Sequence, residues 1–200
     1  MNTSAPSTIL ILYSSRFGQC QRIAEKLTQS LEALGRKCDT LNIETMRTPP
    51  KPVPSYESVI ITASIRYGYF HKNVGAFVRQ HHNELQTLLD VFIPVNLIAR
   101  NPQRRTLERN AYARKFLEKT NWSPKIIDIM AGALLYPRYN FFDRFMIRLI
   151  MKMTNGETDT SKEIEYTDWD HIPELATEID TRLREKNNAI ENQPTACVNT

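Results

Sequence analysis

Two hundred residues with 41% hydrophobic content suit one globular domain with a substantial core. No apolar stretch is long and uncharged enough to cross a bilayer, and the polar start MNTSAPST is unlike a secretory signal. Three scattered cysteines (Cys20, Cys38, Cys197) and four histidines (His71, His81, His82, His171) form neither a disulfide framework nor a metal signature, so no metal is expected and a reducing cytoplasm is the default.

The elements alternate in type along the chain. TILILY, from Thr8, is a continuous apolar run of the kind buried on both faces of a parallel sheet. Ile23, Ala24, Leu27, Leu31 and Leu34 then mark one face of a helix that Gly35 closes. KCDTLNI is a weaker second strand, RTPPKPVPS a loop and SVIITAS a third, buried strand. A helix is predicted over 71–89, a fourth strand at VFIPVN, and a fifth apolar segment at KIIDIMAGAL after a long polar stretch. The last helix carries Ile172, Leu175, Ala176, Ile179 and Leu183 on one side, with Asp170 as its cap and Pro173 in its first turn. Residues 1–7 and 187–200 read as flexible tails around a domain spanning 8–186.

This alternation predicts an open α/β sheet, whose ligands sit beyond the carboxyl ends of the strands. Three such ends stand out: Ser14–Cys20, Ser64–Tyr69 and Val95–Arg100. The first offers hydroxyls at Ser14 and Ser15, amides through Gly18 and Gln19, and the charge of Arg16, at the start of a helix. It lacks both G-x-G-x-x-G and G-x-x-x-x-G-K-[ST], and its donors suit a terminal phosphomonoester. An ordinary polar turn between strand and helix explains the same residues. At the second end, Ser64, Arg66, Tyr67 and Gly68 combine aromatic surface, a fixed cation and a glycine, as an isoalloxazine ring requires. An aromatic turn filling a core fits them equally.

Taken together, the strand, the hydroxyl-rich loop, the helix and the later SIRYG resemble the flavodoxin-like FMN domain. The segments ASIRYG, VNLIARNPQRRT, NAYARKFL, AGALLYPRY, DRFMIRLIMKMTNGETDT and YTDW narrow the resemblance to the quinone-linked protoporphyrinogen IX dehydrogenases of proteobacteria, from about Ile9 to Ile179. That resemblance implies a flavodoxin-like, doubly wound, five-stranded parallel sheet in order 2-1-3-4-5, with an insertion at about 135–161 splitting the last strand. It implies one non-covalent FMN per chain, held by Ser14, Ser15, Arg16, Phe17, Gly18, Gln19 and Cys20, by Ser64, Ile65, Arg66, Tyr67 and Gly68, and by Val95, Asn96 and Leu97. The implied reaction is six-electron oxidation of protoporphyrinogen IX in haem biosynthesis, with ubiquinone or menaquinone as acceptor, at the cytoplasmic face of the inner membrane. The flavin carries that chemistry, and no side chain stands out as a general base; His71 reads as a helix-start residue.

Two departures qualify the likeness. Related phosphate loops usually carry threonine where Cys20 stands, so phosphate affinity is reduced; the thiol, at a helix start, is either redox-sensitive or simply a small buried side chain, the second being the preferred reading. The third loop has no aromatic among Val95, Asn96, Leu97 and Ile98, which predicts one flavin face open to a flat substrate.

The basic charge sits in two segments: residues 100–119 carry a net +5 and 138–152 a net +3, against +4 for the chain. In the second, Phe142, Phe145, Met146, Leu149, Ile150 and Met153 form an apolar helix face, with Arg144, Arg148 and Lys152 on the other side. A helix of about fifteen residues spans only ~22 Å, so an interfacial helix on an anionic membrane surface is expected, a core or dimer-contact helix being the alternative. Oligomeric state is left open. In the first segment, Arg100, Arg104 and Arg105 suit either tetrapyrrole carboxylates or a solvated face, and nucleic-acid recognition motifs are missing. The rival functions are an NAD(P)H:quinone oxidoreductase on the same fold and a flavodoxin-type electron carrier, although such carriers are typically acidic and this chain has a pI near 9.0.

Overall fold

In the computed structural model, residues 8–46, 48–154 and 156–191 are described. The elements follow as β1 (Thr8–Ser14), α1 (Gln19–Ala33), β2 (Lys37–Asn42), β3 (Ser58–Ser64), α2 (Lys72–Gln80), α3 (His82–Thr87) and β4 (Leu89–Asn96). Then come α4 (Ala111–Thr120), β5 (Ile126–Ile127), β6 (Met130–Ala131), β7 (Ala133–Leu135), α5 (Phe141–Met153), β8 (Glu163–Glu165) and α6 (His171–Glu191). The main sheet is parallel in order β2-β1-β3-β4-β5, as the sequence predicts, and β6 also pairs with β4.

Alternation along the strands builds two cores. Ile9, Ile11, Ile60, Val91 and Ile93 meet Ile23, Leu27 and Leu31 of α1 and Ile172, Leu175 and Ile179 of α6. Their neighbours Leu10, Leu12, Val59, Ile61 and Phe92 meet Val74, Phe77 and Val78 of α2, with Leu117 and Trp122. Both faces are thus dry, which is why these strands read as unbroken apolar runs.

Four expectations change. The helix predicted over 71–89 is two, because His81 leaves helical geometry (φ −110°, ψ 26°) between α2 and α3. The fifth strand is broken at Asp128–Ile129. The carbonyls of Asp90, Phe92 and Asn96 all face this edge, accepting from the N–H groups of Lys125, Asp128 and Gly132. Pro94 lies on the same side and has no N–H to give, so the ladder lapses beside it. The segment returning after the insertion, β8, pairs antiparallel with β7 in a ribbon of its own rather than rejoining the parallel sheet. Finally, α6 continues to Glu191, beyond the predicted end at 186, since no glycine or proline interrupts residues 184–191. The rest of the predicted tails, 1–7 and 192–200, lies outside the described residues, as does Cys197.

Candidate functional site

The three strand ends converge on one cavity. Ser15, Arg16, Phe17 and Gln19 line it from the first loop, Ser64–Gly68 from the second, and Val95, Asn96, Leu97 and Ile98 from the third. Loops two and three are tied by the Ile65 N–H donating to the Val95 carbonyl at 3.1 Å. Tyr112 and Gly132 complete the walls, and the insertion closes the cavity with Leu135, Tyr139, Asp143, Ile147 and Ile150.

The first loop turns into α1 through Gly18, whose φ of +87° suits glycine. Ser15 Oγ accepts from the Cys20 N–H at 3.1 Å, while the N–H groups of Gln19 and Gln21 have no partner among the described residues. Together with the helix dipole they form an anion cup beside Arg16. Two predicted contacts, Ser14 and Cys20, are corrected. Ser14 Oγ donates to Glu44 at 2.7 Å and turns away from the cavity. Gln19 is expected to act through its main-chain amide, and its side chain is engaged elsewhere, donating to Glu165 at 2.8 Å and Thr167 at 2.7 Å. Cys20 does not line the cavity: it is fully buried in the core beneath the loop, as the small-side-chain reading expects, and burial pushes its thiol up to about 12, against an activated, redox-sensitive cysteine.

The second loop is a tight hairpin turn. Arg66 and Tyr69 exchange main-chain hydrogen bonds of 2.8 and 3.0 Å around Tyr67 and Gly68, both at positive φ (50° and 86°). For a tyrosine this backbone costs about 1 kcal/mol, and three contacts hold it. Its hydroxyl donates to Asp143, Arg66 lies over its ring at 4.8 Å, and Phe142 meets its edge at 5.9 Å. At Gly68 an added Cβ would stand 3.3 Å from the ring of Tyr112, so the glycine also admits that aromatic. In the third loop, Asn96 Oδ1 accepts from the Ala99 N–H at 3.0 Å, while Asn96 Nδ2 is buried without a partner. A buried donor in this state costs about 1–3 kcal/mol unless a ligand satisfies it.

The lid was not foreseen. Its small core of Leu134, Leu135, Tyr136, Tyr139 and Met151 packs on Phe17 and Leu97, with Tyr139 and Phe17 at 4.9 Å. Asp143, 4% exposed, reaches Arg66 at 3.0 Å and Arg16 at 3.5 Å. Burial alone would raise its pKa, but hydrogen bonds from Tyr67 and Arg66 and the charges of Arg66 and Arg16 hold it below the usual carboxylate range. The same contacts keep the Arg66 guanidinium charged despite its partial burial. Because Asp143, Ile147 and Met151 form the inward stripe of α5, the phenylalanines turn outward: Phe141, Phe142, Phe145, Leu149 and Met153 are exposed. Arg148 and Lys152 are exposed beside them rather than opposite, and Arg144 is half-buried, with its Nη2 donating to the Tyr139 carbonyl at 3.4 Å. His71 starts α2 and accepts the Asn73 N–H at 3.3 Å, and it does not line the cavity.

Of the remaining arginines, Arg100 donates to the Leu97 carbonyl and to Thr154, strapping the end of α5 to the third loop. Arg105 donates to the Ala99 carbonyl and lines a different cavity with Asp128 and His171. Sequence reasoning missed the apolar lining from Gly132, Ala133, Leu135, Ile147 and Ile150, and three polar or aromatic site residues, Tyr112, Tyr139 and Asp143. Each lies in a segment noted for its likeness, and Asp143 is the single acid among the bases of 138–152.

An anion cup, a cavity wall that includes Tyr112 and an unpartnered buried amide donor on the lining residue Asn96 fit a flavin mononucleotide. Fold and site together define a flavodoxin-type domain, and the family profile described as "Flavodoxin domain" matches residues 10–161. The fold of rubredoxin oxygen:oxidoreductase from Desulfovibrio gigas is similar, with a TM-score of 0.51 at 11% identity over 90% of this chain and 36% of that one. More narrowly, the chain belongs to the protoporphyrinogen IX dehydrogenase (quinone) family. It is 47% identical over 170 residues to the protein of that name from Escherichia coli strain K12, covering 85% of this chain and 93% of that one. The protein of the same name from Leishmania major is 42% identical over 171 residues, covering 85% of this chain and 73% of that one, so the family extends beyond proteobacteria.

Proposed function

We propose that this chain binds FMN non-covalently in the cavity and oxidises protoporphyrinogen IX to protoporphyrin IX, passing the electrons to ubiquinone or menaquinone. The observation that carries this reading is the convergence of three loop ends on one cavity, in a chain 47% identical to a protein named for that activity. When bound, FMN supplies two-electron redox chemistry, used three times per porphyrin. The anion cup and Arg16 would hold its phosphate. Arg66 and Asn96 Nδ2 would serve the ring edge, and Tyr112 would pack on the ring. Phe17, Tyr139 and Ile147 line the cavity on its lid side. No side chain is assigned as proton acceptor.

The exposed face of α5 supports work at a membrane surface. Its exposed Phe141 (89%) and Met153 (77%), with Phe142 and Phe145 between and Arg148 and Lys152 beside them, suit peripheral docking on anionic lipid. Among the described residues no helix is long and apolar enough to cross a membrane. The reaction is tested by anaerobic protoporphyrinogen consumption with and without added quinone, read by porphyrin fluorescence. Quinone-dependent turnover is expected; bleaching of the flavin by NADPH but not by porphyrinogen would instead establish the pyridine-nucleotide-linked rival. For the membrane, Arg148→Glu/Lys152→Glu should weaken cosedimentation with anionic vesicles, and unchanged binding would refute the docking face.

A further inference from the structure

A second cleft shares a wall with the flavin cavity, since Ile98 and Tyr112 line both. It measures about 390 Å³, lies between the end of α5, the third loop and the start of α4, and is lined by Arg100, Arg104 and Arg109 with no acidic side chain. Arg100 is already engaged by the Leu97 carbonyl and Thr154, which caps the negative end of α5. The other two are not. Arg104 reaches the Arg109 carbonyl at 3.5 Å, Arg109 reaches Gln103 at 3.4 Å, and neither has a carboxylate within ion-pair range among the described residues. Bonds this long are weak, so both forks remain available to an incoming acid.

We infer that this cleft is the carboxylate-binding subsite for the tetrapyrrole, with Arg104 and Arg109 taking its propionate groups. The inference rests on the proposed function and names the residues that would orient the substrate. A porphyrinogen is apolar over its ring faces and carries its two carboxylates on one edge. The lining of the cleft matches that division, with Ile98, Tyr112 and Met153 as apolar surface and the arginines as its cationic part. The structure also revises the arginines read from sequence, because Arg105 faces Asp128 and His171 in another cavity and Arg109 takes its place. Bidentate recognition of carboxylates is the geometry arginine offers and lysine does not.

The test compares protoporphyrin IX with its uncharged dimethyl ester, in detergent without lipid, on FMN-loaded protein, by porphyrin fluorescence anisotropy. Wild type should bind the acid several-fold to about tenfold more tightly than the ester, as expected for two solvent-facing ion pairs. Arg104→Gln/Arg109→Gln should lose that preference while binding the ester and FMN as wild type does. Equal binding of acid and ester by wild type, or a preference retained in the variant, would overturn the subsite alone. Failure of wild type to bind either porphyrin would overturn it together with the proposed function.

Discussion

Replacing Asp143 with asparagine tests how the lid is held. The substitution keeps the shape and an acceptor for the Tyr67 hydroxyl but removes the charge that faces Arg66 at 3.0 Å and Arg16 at 3.5 Å. The two guanidinium side chains are 41% and 43% exposed, so each pair belongs to the screened class worth up to about 1 kcal/mol. The two arginines are then left facing each other, and the total loss is about 2 kcal/mol. Asp143 has a folded pKa below its unfolded value, so its contribution is complete above about pH 4 and disappears as pH falls through the folded value. Hydrogen exchange resolves the effect locally: amides of α5 should exchange roughly 30-fold faster in the variant at pH 7, with the sheet amides far less affected. Thermal melts should show a gap from wild type that is constant between pH 5 and 8. Exchange in α5 within twofold of wild type would refute the latch.

Gly68→Ala should lower stability by about 1 kcal/mol and weaken FMN binding, because the turn needs φ +86° and the new methyl would crowd Tyr112; calorimetry and flavin titration would show both. Cys20 should resist alkylation at pH 8 in the native protein and react only on unfolding, as peptide mapping by mass spectrometry would reveal. His171 sits 2.8 Å from Asp128; burial lowers its pKa, but the Asp128 charge and the hydrogen bonds that the ring donates to Glu174 and Asp128 outweigh this and raise it. Its stabilisation is therefore present below about pH 6.5 and lost as pH rises through the folded value. With the ring 41% exposed, His171→Gln should cost about 0.5 kcal/mol at pH 6 and nothing by pH 9, measured by melts at each pH.

What could be read before folding depended on whether a residue's partner lies nearby in the chain. Strands β1, β3 and β4 declare themselves because burial on both faces demands apolar residues throughout, and Gly18 and Gly68 mark turns by their backbone alone. The destination of a polar side chain is a different matter. Nothing local says that Ser14 turns to Glu44, or that Gln19 reaches across to Thr167. Arg105 and Arg109 lie four positions apart in one basic run, yet the 3₁₀ turns after β4 send them to different cavities. The amphipathic pattern of α5 was legible, but which stripe packs inward was decided by Asp143 finding arginines at positions 16 and 66, and that pairing exists only once the lid folds over the loops. Pro94 could have warned of the broken fifth strand, had its missing N–H been assigned to an edge.

The most direct measurement is a fluorescence titration of FMN into the flavin-free protein, repeated with Asn96→Leu. Saturable quenching at one flavin per chain, weakened at least about tenfold when the orphan amide is removed, is the predicted result. Flavin fluorescence unchanged by the wild-type protein would contradict the account, since it would leave the convergent loops without the cofactor on which the proposed oxidation depends.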